Sequence, residues 1–82
     1  MNEFKFFQDE ILRYLYKKGT VSTDKIENLF GSDNDVQNVN NVICNRANRT
    51  SYIYKGYMEY DEENRTLSIT EKGKNFVENN YR

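Results

Sequence analysis

The chain has 82 residues, enough for one domain with a small core, and its hydrophobic content is only 37%. Seven Tyr and five Phe compensate, because a few large rings close a core that aliphatic residues alone would leave thin. A net charge of −1 excludes a general polycation, so nucleic-acid binding would require a local patch. No His and a single cysteine, Cys44, exclude an ordinary zinc site and an intrachain disulfide, and no cofactor is expected. The chain has no Gly-rich phosphate loop and no carboxylate pair placed for acid–base work, which points away from an enzyme. No apolar run approaches membrane-spanning length and no signal-peptide pattern opens the chain, which predicts a cytoplasmic protein.

Residues 3–18 read as a first helix with an apolar stripe of Phe4, Phe7, Ile11, Tyr14 and Leu15. Acids near its start and Lys17 and Lys18 at its end suit the helix dipole, and Gly19 stops it. Phe6 and Tyr16 fall off the stripe, and an exposed Phe6 is a candidate contact to a second subunit. Thr20 and Val21 are short and β-prone. Ser22 or Thr23 then caps a second helix over 23–30, with Asp24 in its first turn and Ile26, Leu29 and Phe30 inward. Residues 31–34, GSDN, form a turn in which Asp33 or Asn34 can cap the next helix.

That next helix is expected over 35–55. Val36, Val39, Val42, Ile43, Ala47, Ile53 and Tyr54 recur at helical spacing, with Cys44 as a small core or boundary residue. Centring the buried face on Ile43 puts Gln37, Asn38, Asn41, Asn45, Asn48 and Tyr52 on the opposite side, flanked by Arg46 and Arg49. Asparagine is a mediocre helix former, so a row of amides implies a surface that meets hydrogen-bond edges. The plainer alternative is a solvated face in a chain with 12 Asn. Lys55-Gly56 reads as a cationic last turn and C-cap; a helix ending near Asn48 and a strand starting at Ser51 is the other reading. From Val36 to Met58 there are three cations and no acid, a local +3, against nine cations and thirteen acids elsewhere.

After Gly56 the period changes. Residues 57–60 and 66–69 alternate as two strands around the polar turn 61–64. Thr70 caps a last helix from 71 to about 79 that buries Phe76 and Val77, with Gly73 weakening its first turn and Tyr81 and Arg82 fraying.

The runs Lys55-Gly56-Tyr57-Met58-Glu59-Tyr60 and Arg65-Thr66-Leu67-Ser68-Ile69-Thr70-Glu71-Lys72-Gly73-Lys74 resemble the winged-helix DNA-binding domains of bacterial MarR- and PadR-type regulators. The likeness covers nearly the whole chain. It implies an α+β fold, a three-helix helix-turn-helix core with a two-stranded β-wing and a short C-terminal helix, as one domain over 1–82. It also implies a transcriptional regulator that reads the major groove with helix 35–55. Gln37, Asn38, Asn41 and Asn45 would read bases, since an amide pairs bidentately with adenine. Arg46, Arg49, Lys55 and Arg65 would hold phosphates. The three of these on helix 35–55, Arg46, Arg49 and Lys55, imply a salt slope of about −2.7 per subunit. The chain departs from the family at the wing tip, where Asp61, Glu62 and Glu63 would be repelled by phosphates. It also lacks the long flanking dimerisation helices, so a homodimer would use the N-terminal helix or the C-terminal tail. Two other readings stand beside this one. Tyr52 could stack single-stranded bases beside Arg49 and Lys55, as in an accessory protein of a mobile element. Alternatively the acidic wing could be the contact surface of a protein-interaction module.

Overall fold

A computed structural model describes residues 3–32 and 37–81 of the chain. The first helix, α1 (Glu3–Lys18), has the expected ends, but its buried face is rotated from the expected stripe. Phe7, Gln8, Ile11, Leu12 and Leu15 face inward with Asp9 at their edge, while Phe4 and Tyr14 are half-buried. Two polar side chains on a core face require hydrogen-bond partners. Gln8 and Asp9 find them far along the chain, at residues 50–52.

Strand β1 (Thr20–Ser22) leads directly into α2 (Thr23–Phe30), whose N-cap is Ser22, its hydroxyl accepting from Lys25 N at 3.2 Å. Ile26 is buried and Phe30 is half-buried, edge-on to Tyr14 at 5.3 Å. Leu29, expected inward, is 53% exposed. The buried face of α2 is set by Thr23, Ile26 and Phe30, and Leu29 lies beyond its edge. The expected caps Asp33 and Asn34, with Asp35 and Val36, lie outside the described residues. Helix α3 (Val39–Cys44) follows, then β2 (Met58–Asp61), β3 (Thr66–Ile69) and α4 (Glu71–Asn80).

The described fold is α+β. Its four helices accompany a three-stranded antiparallel sheet in the order β1-β3-β2. The expected two-stranded hairpin therefore gains a third strand, because β-prone Thr20–Ser22 pairs with Ser68–Thr66. Thr20 Oγ1 and Ser68 Oγ share a hydrogen bond at 2.8 Å across that pairing. In β3 the fully buried Leu67 sits between Val21 on one side and Tyr60 on the other. At the hairpin turn, the Asp61 carboxylate accepts from the amides of Glu63 and Asn64 at 3.0 and 3.1 Å. Arg65 adopts a left-handed φ of 56°, and its carbonyl accepts from Thr23 N at 2.9 Å, tying the hairpin to the start of α2. Among the described residues no helix is long and apolar enough to cross a membrane.

The start of α4 is locked to the start of β2. Thr70 Oγ1 accepts from Gly73 N at 3.0 Å and donates to Gly56 O at 2.5 Å. A Cβ on Gly73 would lie 1.9 Å from the backbone oxygen of Tyr57. Gly73 is thus the residue that lets α4 touch the strand, which is the physical reason for a glycine inside a first helical turn. Tyr81, expected to fray, packs instead edge-on against Phe76 at 6.0 Å and under the Arg13 guanidinium at 5.1 Å.

Gly73→Ala should therefore lower stability by about 1–3 kcal/mol in urea unfolding, because the new methyl meets fixed backbone. Lys74→Ala, at an exposed neighbour, should change it by less than about 0.5 kcal/mol. Equal midpoints for the two variants would contradict this packing.

Candidate nucleic-acid interface

Helix α3 is well founded at its start. Asn38 Oδ1 accepts from Asn41 N at 2.8 Å as the N-cap, and Glu27 of α2 accepts from Val39 N at 2.7 Å. Val39 and Val42 are buried beneath it. The helix then stops at Cys44, so the expected helix 35–55 is corrected to a much shorter one, and its alternative end near Asn48 is corrected too. The cause is the amide chemistry of the sequence. Asn45 Nδ2 folds back onto the Asn41 carbonyl at 2.7 Å and the Asn41 side-chain oxygen at 2.9 Å. The Arg46 guanidinium caps the Ile43 carbonyl at 2.9 Å. Side chains that compete for backbone groups end helices.

From 45 to 57 the chain runs in successive tight turns, in place of both the expected helix to Lys55 and the alternative strand from Ser51. Ser51 N donates to Asn48 O at 2.9 Å, Lys55 N to Ser51 O at 3.0 Å and Gly56 N to Ile53 O at 3.1 Å. Gly56 closes the last of these with a left-handed φ of 85°.

Two residues of α1 hold this segment in place. Gln8 Nε2 donates to Thr50 O at 3.1 Å, and its Oε1 accepts from Tyr52 N at 2.8 Å. One side-chain amide so satisfies the backbone on both sides of the buried Ser51. The Tyr52 hydroxyl donates to the Asp9 carboxylate, which also accepts from Lys5 Nζ at 2.8 Å. The Tyr52 ring meets Tyr57 and Phe76 edge-on at 5.3 and 5.7 Å, and those two stack at 4.3 Å.

The expected base-stacking role of Tyr52 is therefore corrected: the ring is 2% exposed. Tyr54, expected in the core, is 57% exposed. The clamp on residues 50–52 decides which of the two tyrosines goes inside. Ala47, expected at the buried face, and Cys44, expected as a small core or boundary residue, are exposed as well. Val39 and Val42, and not Ile43, centre the buried side of α3, which turns its outward face by roughly 70° from the expected one.

That rotation changes the status of the amide row. Gln37 accepts from Ser32 Oγ at 3.2 Å, Asn38 is the N-cap, and Asn41 and Asn45 bond to each other. All four expected base-reading residues are thus engaged in shaping the chain. Asn48 likewise accepts from Thr50 N at 3.0 Å. Asn40 is the amide that α3 turns fully outward, and its side chain makes no hydrogen bond among the described residues. A buried-face centre on the two valines was the signal that could have found it.

The expected phosphate contacts Arg46, Arg49, Lys55 and Arg65 are all exposed. Arg46 is anchored to the end of α3, and Lys55 Nζ lies over the Tyr52 ring at 5.8 Å. Arg65 stands apart from them at the hairpin turn, beside Glu62 and Glu63.

Burial pushes the Asp9 carboxyl up, but the bonds from Lys5 and from the Tyr52 and Tyr81 hydroxyls outweigh it and hold the group below its ordinary 3.8. Burial, then the bond to Asp9, pushes Tyr52 well above its ordinary 10.0. Because Asp9 is depressed in the folded state, its contribution is present above the unfolded value near 3.8 and lost as pH falls through the folded value. Asp9→Asn should cost about 1.5–3 kcal/mol at neutral pH and flatten the loss of stability below pH about 4. Urea midpoints at several pH values check this; an acid slope unchanged in the variant would contradict it.

Comparison with known proteins gave no match: no family model fits the chain, and no curated protein or solved structure is significantly similar to it.

Proposed function

We propose that this chain is a small winged helix-turn-helix protein that binds duplex DNA and acts as a cytoplasmic transcriptional regulator. The observation that carries this reading is the charge of the segment following α3. From 37 to 57 there is no acid, and Arg46, Arg49 and Lys55 all reach solvent. The element order supports it, since two consecutive helices, α2 and α3, precede the hairpin of β2 and β3. The N-terminal caps on α3 from Asn38 and Glu27 fix that helix against α2, as a recognition element requires. In this reading Asn40 faces the base edges and the three cations hold the phosphates on either side.

A second reading is favoured by the hairpin. Asp61, Glu62 and Glu63 are exposed on a turn that Asp61 itself braces by hydrogen bonds, and Glu59 lines the same concave surface. Such a tip suits a cationic protein surface and not a phosphate backbone. The single-stranded reading loses its support with the burial of Tyr52.

Binding to duplex oligonucleotides across a salt series separates these readings. Arg49→Ala should weaken binding to all sequences and reduce the salt slope by about 0.9. Asn40→Ala should leave the slope unchanged and relax base preference by about 1–3 kcal/mol. Absence of duplex binding at low salt would overturn the DNA reading and leave the acidic hairpin as the contact surface.

A further inference from the structure

The side of α1 turned away from the core carries Phe6, Glu10, Arg13 and Lys17, all exposed. Their spacing of four, three and four residues makes one straight stripe along the helix. Phe6 is 47% exposed, and beside the stripe runs a groove lined by Tyr14, Phe30, Val77 and Tyr81. Among the described residues neither the Glu10 nor the Lys17 side chain makes a hydrogen bond or an ion pair. Arg13 is held by its position over the Tyr81 ring.

We propose that this face of α1 pairs with the same face of a second copy of the chain, the two helices running antiparallel about a two-fold axis. The occupant follows from charge complementarity. An axis passing between Ile11 and Leu12 sets Glu10 against the partner's Arg13 and Phe6 against the partner's Lys17. By symmetry each contact occurs twice. Glutamate meets arginine, and the lysine stem covers the phenyl ring. A parallel arrangement would set Glu10 on Glu10 and Arg13 on Arg13, so the charges select the antiparallel one. A helix of sixteen residues is about 24 Å long, so the contact is smaller than a standard interface and the dimer is a weak one.

The inference does not rest on DNA binding, and its test contains no nucleic acid. Sedimentation equilibrium of the full chain should show a monomer–dimer equilibrium at concentrations of about 10–500 μM. Glu10→Arg and Arg13→Glu should each weaken it at least about tenfold, because every reversal creates two like-charge contacts. Phe6→Ala, which removes a ring already exposed in the monomer, should weaken it as well. The double variant E10R/R13E exchanges the members of each pair and should recover dimerisation to within about threefold of the wild type. That recovery would also exclude misfolding as the cause of the Arg13→Glu loss. A chain that stays monomeric over the whole range overturns the proposal. So does association that the single reversals leave unchanged, or a double variant that stays as weak as the singles.

Discussion

The contact on which the rest of the candidate surface depends is the pair Gln8 and Asp9 reaching from α1 to residues 50–52. Two polar side chains on the buried face of a helix are costly unless their groups are satisfied. Here each is satisfied by the same distant segment. The Gln8 amide takes one donor and one acceptor of its backbone, and the Asp9 carboxylate takes the Tyr52 hydroxyl. The clamp draws Ser51 and Tyr52 into the core, with Thr50 and Tyr54 exposed and Ile53 half-buried beside them. A regular helix through this region could not do both, because Ser51 and Tyr52 must approach α1 with their backbone and not only with their side chains.

The consequences extend in two directions. Toward α3, the chain must leave the helix axis early, and Asn45 and Arg46 supply the bonds that let it do so. Toward β2, the Tyr52 ring becomes the centre of an aromatic cluster with Tyr57 and Phe76, which joins the turn segment to α4. The Gly56–Thr70–Gly73 junction closes the same cluster from the backbone side. Arg46, Arg49 and Lys55 stay exposed while Tyr52, Ile53 and Tyr57 of their segment pack into or against the core. An electrostatic surface is here the by-product of a packing constraint.

Much of the fold was legible in the sequence where local signals agree. The ends of α1, the Ser22 and Thr70 caps, the span of α2 and the positions of the hairpin strands all follow from capping residues and periodicity. The region after Val39 was not legible in the same way. Val42, Ile43, Ala47, Ile53 and Tyr54 do recur at helical spacing, but spacing weighs neither the side-chain amides that compete for carbonyls nor a capture by α1 from far along the chain. Tyr52 and Tyr54 exchanged places for the same reason, since a two-residue offset in a turn is decided by Gln8 and Asp9. The cations of the candidate site were found because charge needs no secondary structure to be counted. Asn40 was missed because it depends on the rotation of a helix that only the two buried valines fix.

Amide hydrogen exchange at Tyr52, read by NMR beside the backbone shifts of residues 39–57, tests the clamp most directly. The Tyr52 amide donates to the buried Gln8 side chain, whereas the exposed Thr50 amide donates to Asn48. The Tyr52 amide should therefore exchange only through opening close to global unfolding, the Thr50 amide should exchange fast, and helical shifts should end near Cys44. Exchange at Tyr52 as fast as at Thr50, or helical shifts running unbroken to Lys55, would contradict the clamp and the surface it creates.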